Sequence, residues 1–541
     1  MQNYPYKVAV IGWDSATLTA LNPLLTAGAL PHLQQLIAQG STGKLFSTLH
    51  PLTPPAWTTM MTGVNPGKHG IFDFVGLSKE RGFQVMTGAD VYAETLWSRL
   101  SRSGKRVVVA NVPMTYPPEA VNGYLIAGMD APRQDRAYTH PPALGEELEQ
   151  HFGAYCVDVK ARAPAGMSSN AFTQKYIDEL CAQVRQQADV ADYLLARETP
   201  DFCMFVFTAP DRVQHVLGEL LSQGVTPEDG IGQVYRACDE ALGRILDRLD
   251  DDWCVFVVSD HGACTYRRVF ELSTWLVAQG WLTLRPPAQT QQLSELWGRV
   301  RRQFARWLHL PIRQRPGLQQ FLNQIVWEKT YAFSLGAFGS IYINSRERFE
   351  HGIVHAGAEY DALCTQITER LLAARDPETD AAIVKAVYRG TDVYQGDYLN
   401  LAPDLLVETH NDYFVRNNLD HHEMRLTYPA GQYGERTLAH TARHHKEGVL
   451  MAAGPAFASR QPELQAHLAD LAPTILHLMG LSVPNSMDGA PLRDWYTAAF
   501  LTAQPVEVAD DDTKMHSVSQ GYSPEEREVV AQRLRDLGYL D

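Results

Sequence analysis

Short, continuously apolar runs bounded by turn residues alternate along this chain with stretches long enough for helices, and no other feature restricts the fold so strongly. The strand candidates are KVAVIGW (7–13), RVVVANV (106–112), FCMFVFT (202–208), WCVFVVS (253–259) and GVLMAAG (448–454). A strand that is apolar at nearly every position has both faces covered, the condition of a parallel sheet between two helical layers. Candidate helices run over 30–39, stopped by Gly40, over 169–197 and over 231–248. The alternation predicts a three-layer α/β/α sandwich around a mostly parallel central sheet.

Two segments depart from this rhythm. Over 285–330, Arg299, Arg301, Arg302, Arg306, Arg313 and Arg315 accompany Leu296, Val300, Phe304, Trp307 and Leu308 at helical spacing, with a second helix around 318–326. A basic amphipathic helix of this kind reads first as a helical cap over an active site; contact with a membrane surface through 295–315, or with a partner, is the alternative. Residues 345–430 read as a small α/β insertion: a helix over 360–374, then AIVKAVYRG and DLLVETH. The expected division is catalytic core over 1–284, cap over 285–330, return to the core over 331–344, insertion over 345–430, core again over 431–502, then a linker and terminal helix over 503–541. Ser523-Pro524-Glu525-Glu526 is a capping-box start for that last helix, which stops at Gly538.

Forty-seven basic against 62 acidic residues give a formal charge of −15, which argues against a nucleic-acid partner. The seven cysteines are scattered with no CxxC pair, the pattern of reduced buried thiols. The N-terminus enters a strand within seven residues, leaving no room for a signal peptide, and no run reaches the length of a membrane span. A cytoplasmic location is expected, with the oligomeric state open.

Acidic residues stand where the strands end. Asp14 follows VAVIGW, Asp260 follows VFVVS and is joined to His261, and Asp211 lies just past FCMFVFT. Ligands of open α/β sheets collect beyond the carboxyl ends of the strands, so these groups should converge. Asp211 and His215 are four apart at a helix start and share one face. In LTPPAWTTMMTG, Thr53 precedes two prolines suited to a first helical turn, where backbone N–H groups and the helix dipole favour an anion. In ARHHKEG, one of His444 and His445 should point into the strand edge. Taken alone, each has a bland reading as a helix cap, a strand end or a surface pair. Together they supply three carboxylates, three imidazoles and a hydroxyl, a donor set suited to two Zn²⁺ ions, with Mn²⁺ as the alternative. Such a pair, about 4 Å apart, stabilises in-line displacement at phosphorus.

The ordered set Asp14, Thr53 with TG nine residues on, Asp211-x-x-x-His215, Asp260-His261 and a late histidine resembles the alkaline phosphatase superfamily. Its nearest branch is the type I phosphodiesterase / nucleotide pyrophosphatase group, and within that the bacterial and archaeal predicted phosphohydrolases or phosphomutases. The resemblance implies that Asp211, His215 and His444 hold one ion, and that Asp14, Asp260 and His261 hold the other together with Thr53. It also implies a covalent phospho-threonine, and it selects His444 over His445 because the ligand stands four residues before a glycine, here Gly448. Two departures matter. The asparagine usual after HGI is replaced by Phe74, leaving Lys68 or Asp73 as candidate substrate contacts. Thr53-Pro54-Pro55-Ala56-Trp57 lacks the arginine of sulfatases. Hydrolysis of a small phosphate ester, with diesters favoured, is the expected activity. A phosphomonoesterase, a phosphotransferase or phosphomutase, and a catalytically silent metal-binding protein are the alternatives.

Overall fold

Each central strand is apolar throughout because each of its faces meets a different helical layer. In the computed structural model, which describes residues 5–78, 82–132, 138–159, 169–285, 322–417, 425–430, 441–459, 464–511 and 521–536, nine strands form one sheet. They are β1 (Lys7–Trp13), β2 (Ser41–Phe46), β3 (Val107–Val112), β4 (Gly123–Ala127), β5 (Thr139–His140), β6 (Phe202–Phe207), β7 (Trp253–Val258), β8 (Glu447–Ala453) and β9 (Leu464–His467). Their spatial order is β9-β2-β8-β7-β1-β6-β3-β4-β5. β7, β1, β6, β3 and β4 run parallel. β8 runs antiparallel to both β7 and β2, and β5 antiparallel to β4.

Alternation sorts the side chains into two cores. Ala9, Ile11 and Trp13 of β1, with Cys203, Phe205 and Phe207 of β6, enter one. Val8 and Val10, with Phe202, Met204 and Val206, enter the other. The first core is roofed by α1 (Pro31–Gln39), α4 (Ser169–Arg197), α5 (Ala209–Leu217) and α6 (Gly230–Leu246). The second is roofed by α2 (Thr53–Thr62), α3 (Leu96–Arg102) and α7 (Leu471–Leu478). This is the three-layer α/β/α sandwich the patterning predicts.

A second, four-stranded sheet joins Ala332–Ser334, Ser340–Ile343, Leu405–Thr409 and Val384–Arg389 in that order, with helix Ala358–Leu372 alongside. Residues 331–344 therefore do not return to the main sheet. Ser340 and Ile341 pair with Leu406 and Leu405 in the insertion, while the Tyr331 and Ala332 N–H groups still donate to the Trp281 carbonyl of the core. Of the expected cap over 285–330, residues 286–321 lie outside the described residues; within the second helix expected around 318–326, Ile325 instead bridges to Leu284, and Trp327–Lys329 forms a short 3-10 turn. Within the expected linker, Val508–Ala509 pairs with Val483–Pro484. The terminal helix Pro524–Asp536 opens on the predicted capping box: the Ser523 N–H donates to Glu526 and the Glu526 N–H to the Ser523 hydroxyl. All seven cysteines are free thiols. Among the described residues no helix is long and apolar enough to cross a membrane.

Candidate active site

Strand direction decides which groups meet. β1, β6 and β7 end together, with Trp13 opposite Phe207 and Gly12 opposite Val258. Asp14 and Asp260 follow these ends directly, and Asp211 lies in the first turn of α5, just beyond β6. Because β8 is antiparallel, its beginning lies at this same edge, which brings the preceding strand Ala442–His445 there too. That short strand pairs with Gly262–Thr265, setting Ala263 opposite His444. Alternation turns His444 inward, 2% exposed, while the His445 ring turns aside to accept the Glu447 N–H. Gly262 serves a close approach rather than a turn, because a Cβ there would lie 2.1 Å from the Glu447 carbonyl oxygen.

Thr53 arrives from the other helical layer. It is the first residue of α2, and Trp57, one turn on, lies over Gly12 of β1, where a Cβ would meet the indole at 2.5 Å. The backbone nest expected at this terminus is thin. Pro54 and Pro55 have no N–H and the Ala56 N–H is bonded to the Leu52 carbonyl, so the first turn offers only the Thr53 N–H.

The cluster is tight. Thr53 Oγ1 lies 3.4 Å from His261 Nε2, which is 3.2 Å from Asp260 Oδ2 and 3.8 Å from Asp14 Oδ1. His215 Nε2 is 3.0 Å from His444 Nε2, and these two nitrogens lie 3.2 and 3.4 Å from Asp211 Oδ1. The His261 and His444 rings stack at 3.7 Å. His444 Nδ1 faces the Pro51 carbonyl at 2.9 Å and His261 Nδ1 the Gly262 carbonyl at 3.1 Å. A carbonyl only accepts, so Nδ1 carries the proton in both rings and each Nε2 presents its lone pair to the cluster.

Burial, followed by the charges of Asp260 and Asp211, raises Asp14 well above the carboxylate range. Burial likewise pushes Asp260 up to about 8. It opposes ionisation of Asp211 as well, yet the His215 and His444 imidazoles outweigh it and hold that carboxyl well below its usual value. Burial keeps His261 and His444 neutral, below 6.5. Both Asp14 oxygens are buried without a hydrogen-bond partner among the described residues. Carboxylates and inward lone pairs gathered out of water form donor sets that fit divalent cations. Ligand atoms of Asp14, Asp260 and His261 lie within 4.8 Å of one another, as do those of Asp211, His261 and His444. His261 thus stands between both groups, a sharing that the linear motifs do not reveal.

The two candidate substrate contacts are engaged elsewhere. The Lys68 ammonium donates to Asp488 at 2.5 Å and to the Ser486 carbonyl at 2.8 Å. Asp73 is buried and accepts the N–H groups of Phe74 and Ala337, anchoring a loop whose Phe338 packs on the His444 ring at 5.0 Å. Phe338 and the Pro51 carbonyl orient a cluster residue without any sequence mark. Arg212 also lies outside the predicted set; the DR dipeptide in DRVQH is its only trace.

The sequence profile described as Type I phosphodiesterase / nucleotide pyrophosphatase matches residues 8–434. No curated protein matches the chain. Among solved structures, phosphonoacetate hydrolase from Sinorhizobium meliloti 1021 is 14% identical, with 86% of this chain and 94% of that chain covered at a TM-score of 0.54. Human ectonucleotide pyrophosphatase / phosphodiesterase 5 is 14% identical over 91% and 100% of the two chains, with a TM-score of 0.51. The alkaline phosphatase PafA is 12% identical over 92% and 100%, with a TM-score of 0.53. At these identities the likeness shows the shared alkaline-phosphatase-like fold.

Proposed function

From the premise that this chain belongs to the type I phosphodiesterase / nucleotide pyrophosphatase family, and is thereby a phosphoric ester hydrolase, we propose that it cleaves small phosphodiesters with Thr53 as nucleophile. The observation that carries this reading is the Thr53 hydroxyl at a helix N-terminus, 3.4 Å from His261 Nε2 and beside buried carboxylates and imidazoles. Asp211, His215 and His444 would hold one divalent ion, and Asp14, Asp260, His261 and the Thr53 oxygen the other, with Zn²⁺ preferred over Mn²⁺ by the nitrogen-rich donor set. When bound, such ions supply positive charge against the oxygens of the phosphoryl group and lower the pKa of an oxygen they hold.

The remaining contributions come from the chain. Thr53 Oγ1 attacks phosphorus, the bond to the leaving alcohol oxygen breaks, and the phosphoryl group is held as a threonine ester until water releases it. The α2 dipole, ending at Thr53, adds partial positive charge where the phosphate sits. Burial excludes bulk water and strengthens each of these interactions. Diesters are favoured because, among the described residues, Lys68 is paired with Asp488, and Arg212 with Asp211 and Asp158. That leaves the additional non-bridging oxygen of a monoester without an identified clamp among the described residues.

The test is turnover of bis-p-nitrophenyl phosphate and p-nitrophenyl phosphate with added Zn²⁺ or Mn²⁺, for wild type and Thr53→Ala. The expected result is faster diester cleavage, abolished in the variant with its metal content unchanged. Equal turnover by both proteins would remove Thr53 from the mechanism.

A further inference from the structure

Arg212 is 2% exposed, a burial that a guanidinium tolerates only when its donors are matched. It follows Asp211 in the first turn of α5. Its Nη1 donates to Asp211 Oδ2 at 2.7 Å, its Nε to Asp158 Oδ1 at 3.1 Å, and its Nη2 to the Met129 sulfur at 3.0 Å. Asp158 is itself 2% exposed at the side chain and lies 54 residues away in the chain. The two oxygens of Asp211 therefore have different duties. Oδ2 is taken by the guanidinium, while Oδ1 faces His215 Nε2 at 3.2 Å and His444 Nε2 at 3.4 Å.

The geometry points to Arg212, braced by Asp158, as a positioning residue that fixes the Asp211 carboxylate so that one oxygen alone is presented to the His215–His444 side of the cluster. This inference rests on the metal reading above and deepens it, because it separates the two ion sites. Arg212 donates directly to Asp211, whereas it reaches Asp14 through its charge, which favours the ionised Asp14 carboxylate. A planar fork suits this pair, since Nη1 holds Asp211 while Nε holds Asp158; an ammonium has three donors but all on one atom, and does not reproduce that spacing. Two effects compete when the fork is removed. Losing a positive charge near a cation site favours the cation, and losing the brace lets the carboxylate rotate. Groups that orient a metal ligand typically contribute roughly 10–100-fold in metal affinity, so the brace is expected to dominate.

The experiment is calorimetric Zn²⁺ titration of the chelator-stripped, full-length protein. Wild type is expected to bind two ions, and His215→Ala identifies which event belongs to the Asp211 side. Arg212→Lys keeps the charge and loses the fork. Arg212→Met leaves Asp158 buried without a partner and risks misfolding, so it is paired with Asp158→Leu, which removes both charges together. In Arg212→Lys and in the double variant, the event abolished by His215→Ala should weaken by roughly 10–100-fold while the other keeps its wild-type affinity. Unchanged affinities, equal weakening of both events, or tighter binding in the double variant would each overturn the inference. A wild type that binds no Zn²⁺ overturns the metal reading itself, and the role of Arg212 with it.

Discussion

Gly12→Ala reaches the active site through the sheet. Gly12 lies in β1, and a methyl there would stand 2.5 Å from Trp57 Cη2 and 2.9 Å from Val206 Cγ2, where ordinary contact begins at 3.4 Å. Trp57 must therefore recede by about 0.9 Å, and it is wholly buried on the helix that begins with Thr53. Replacing Gly by Ala stabilises by about 0.4–1 kcal/mol through the unfolded chain where the backbone conformation permits. Gly12 does not have the positive φ that would forbid it. Overpacking a filled core costs about 1–3 kcal/mol, so the net expectation is destabilisation, read as a lower denaturant midpoint with unchanged slope. The larger effect is expected in catalysis, because a displacement near 1 Å of a reacting group costs roughly 10²-fold. Diester turnover by Gly12→Ala should show this in kcat with KM nearly unchanged. Trp57→Phe removes the benzo edge that collides, so Gly12→Ala/Trp57→Phe should recover most of the lost kcat. A folded Gly12→Ala with wild-type kcat, or a double variant no better than the single one, would refute the coupling of β1 to Thr53 through this contact.

Chelation should abolish diester turnover and lower the melting temperature, and Zn²⁺ at about 100-fold its dissociation constant should restore about 2.7 kcal/mol per site; a melting temperature indifferent to chelator would count against a metal centre. In the metal-free protein, stability should fall between pH 6.5 and 8. The folded Asp260 carboxyl titrates near 8 and the unfolded one near 3.8, so the native state binds the extra proton and loses its advantage as pH rises. Asp73, also raised to about 8 by burial, adds to this slope, whereas His261 and His444, lowered below 6.5, oppose it only under more acidic conditions. Asp260→Asn should flatten the slope in pH-dependent melts, and an unchanged slope would place its origin elsewhere. Lys68→Ala should leave the diester KM unaltered and cost at most about 1 kcal/mol, since its partner Asp488 is partly solvated. A several-fold rise in KM would return Lys68 to the substrate site.

The bounds of β1 and α4 and the start of the terminal helix follow from local information, because apolar runs and capping residues act over a few neighbours, while the stop expected at Gly538 lies outside the described residues. The residues beyond the strand ends were legible for the same reason: a parallel sheet has one edge where its carboxyl ends meet, so Asp14, Asp211 and Asp260 could be placed before any contact was known. Direction and partnership were not legible. That β8 runs antiparallel, that 340–343 pairs with 405–406, that Lys68 is held by Asp488 and that Arg212 clamps Asp211 against Asp158 all depend on groups distant in the chain. A side chain's type declares what it could bind, but only the packed tertiary structure decides which of its candidate partners is near enough, and dry enough, to claim it.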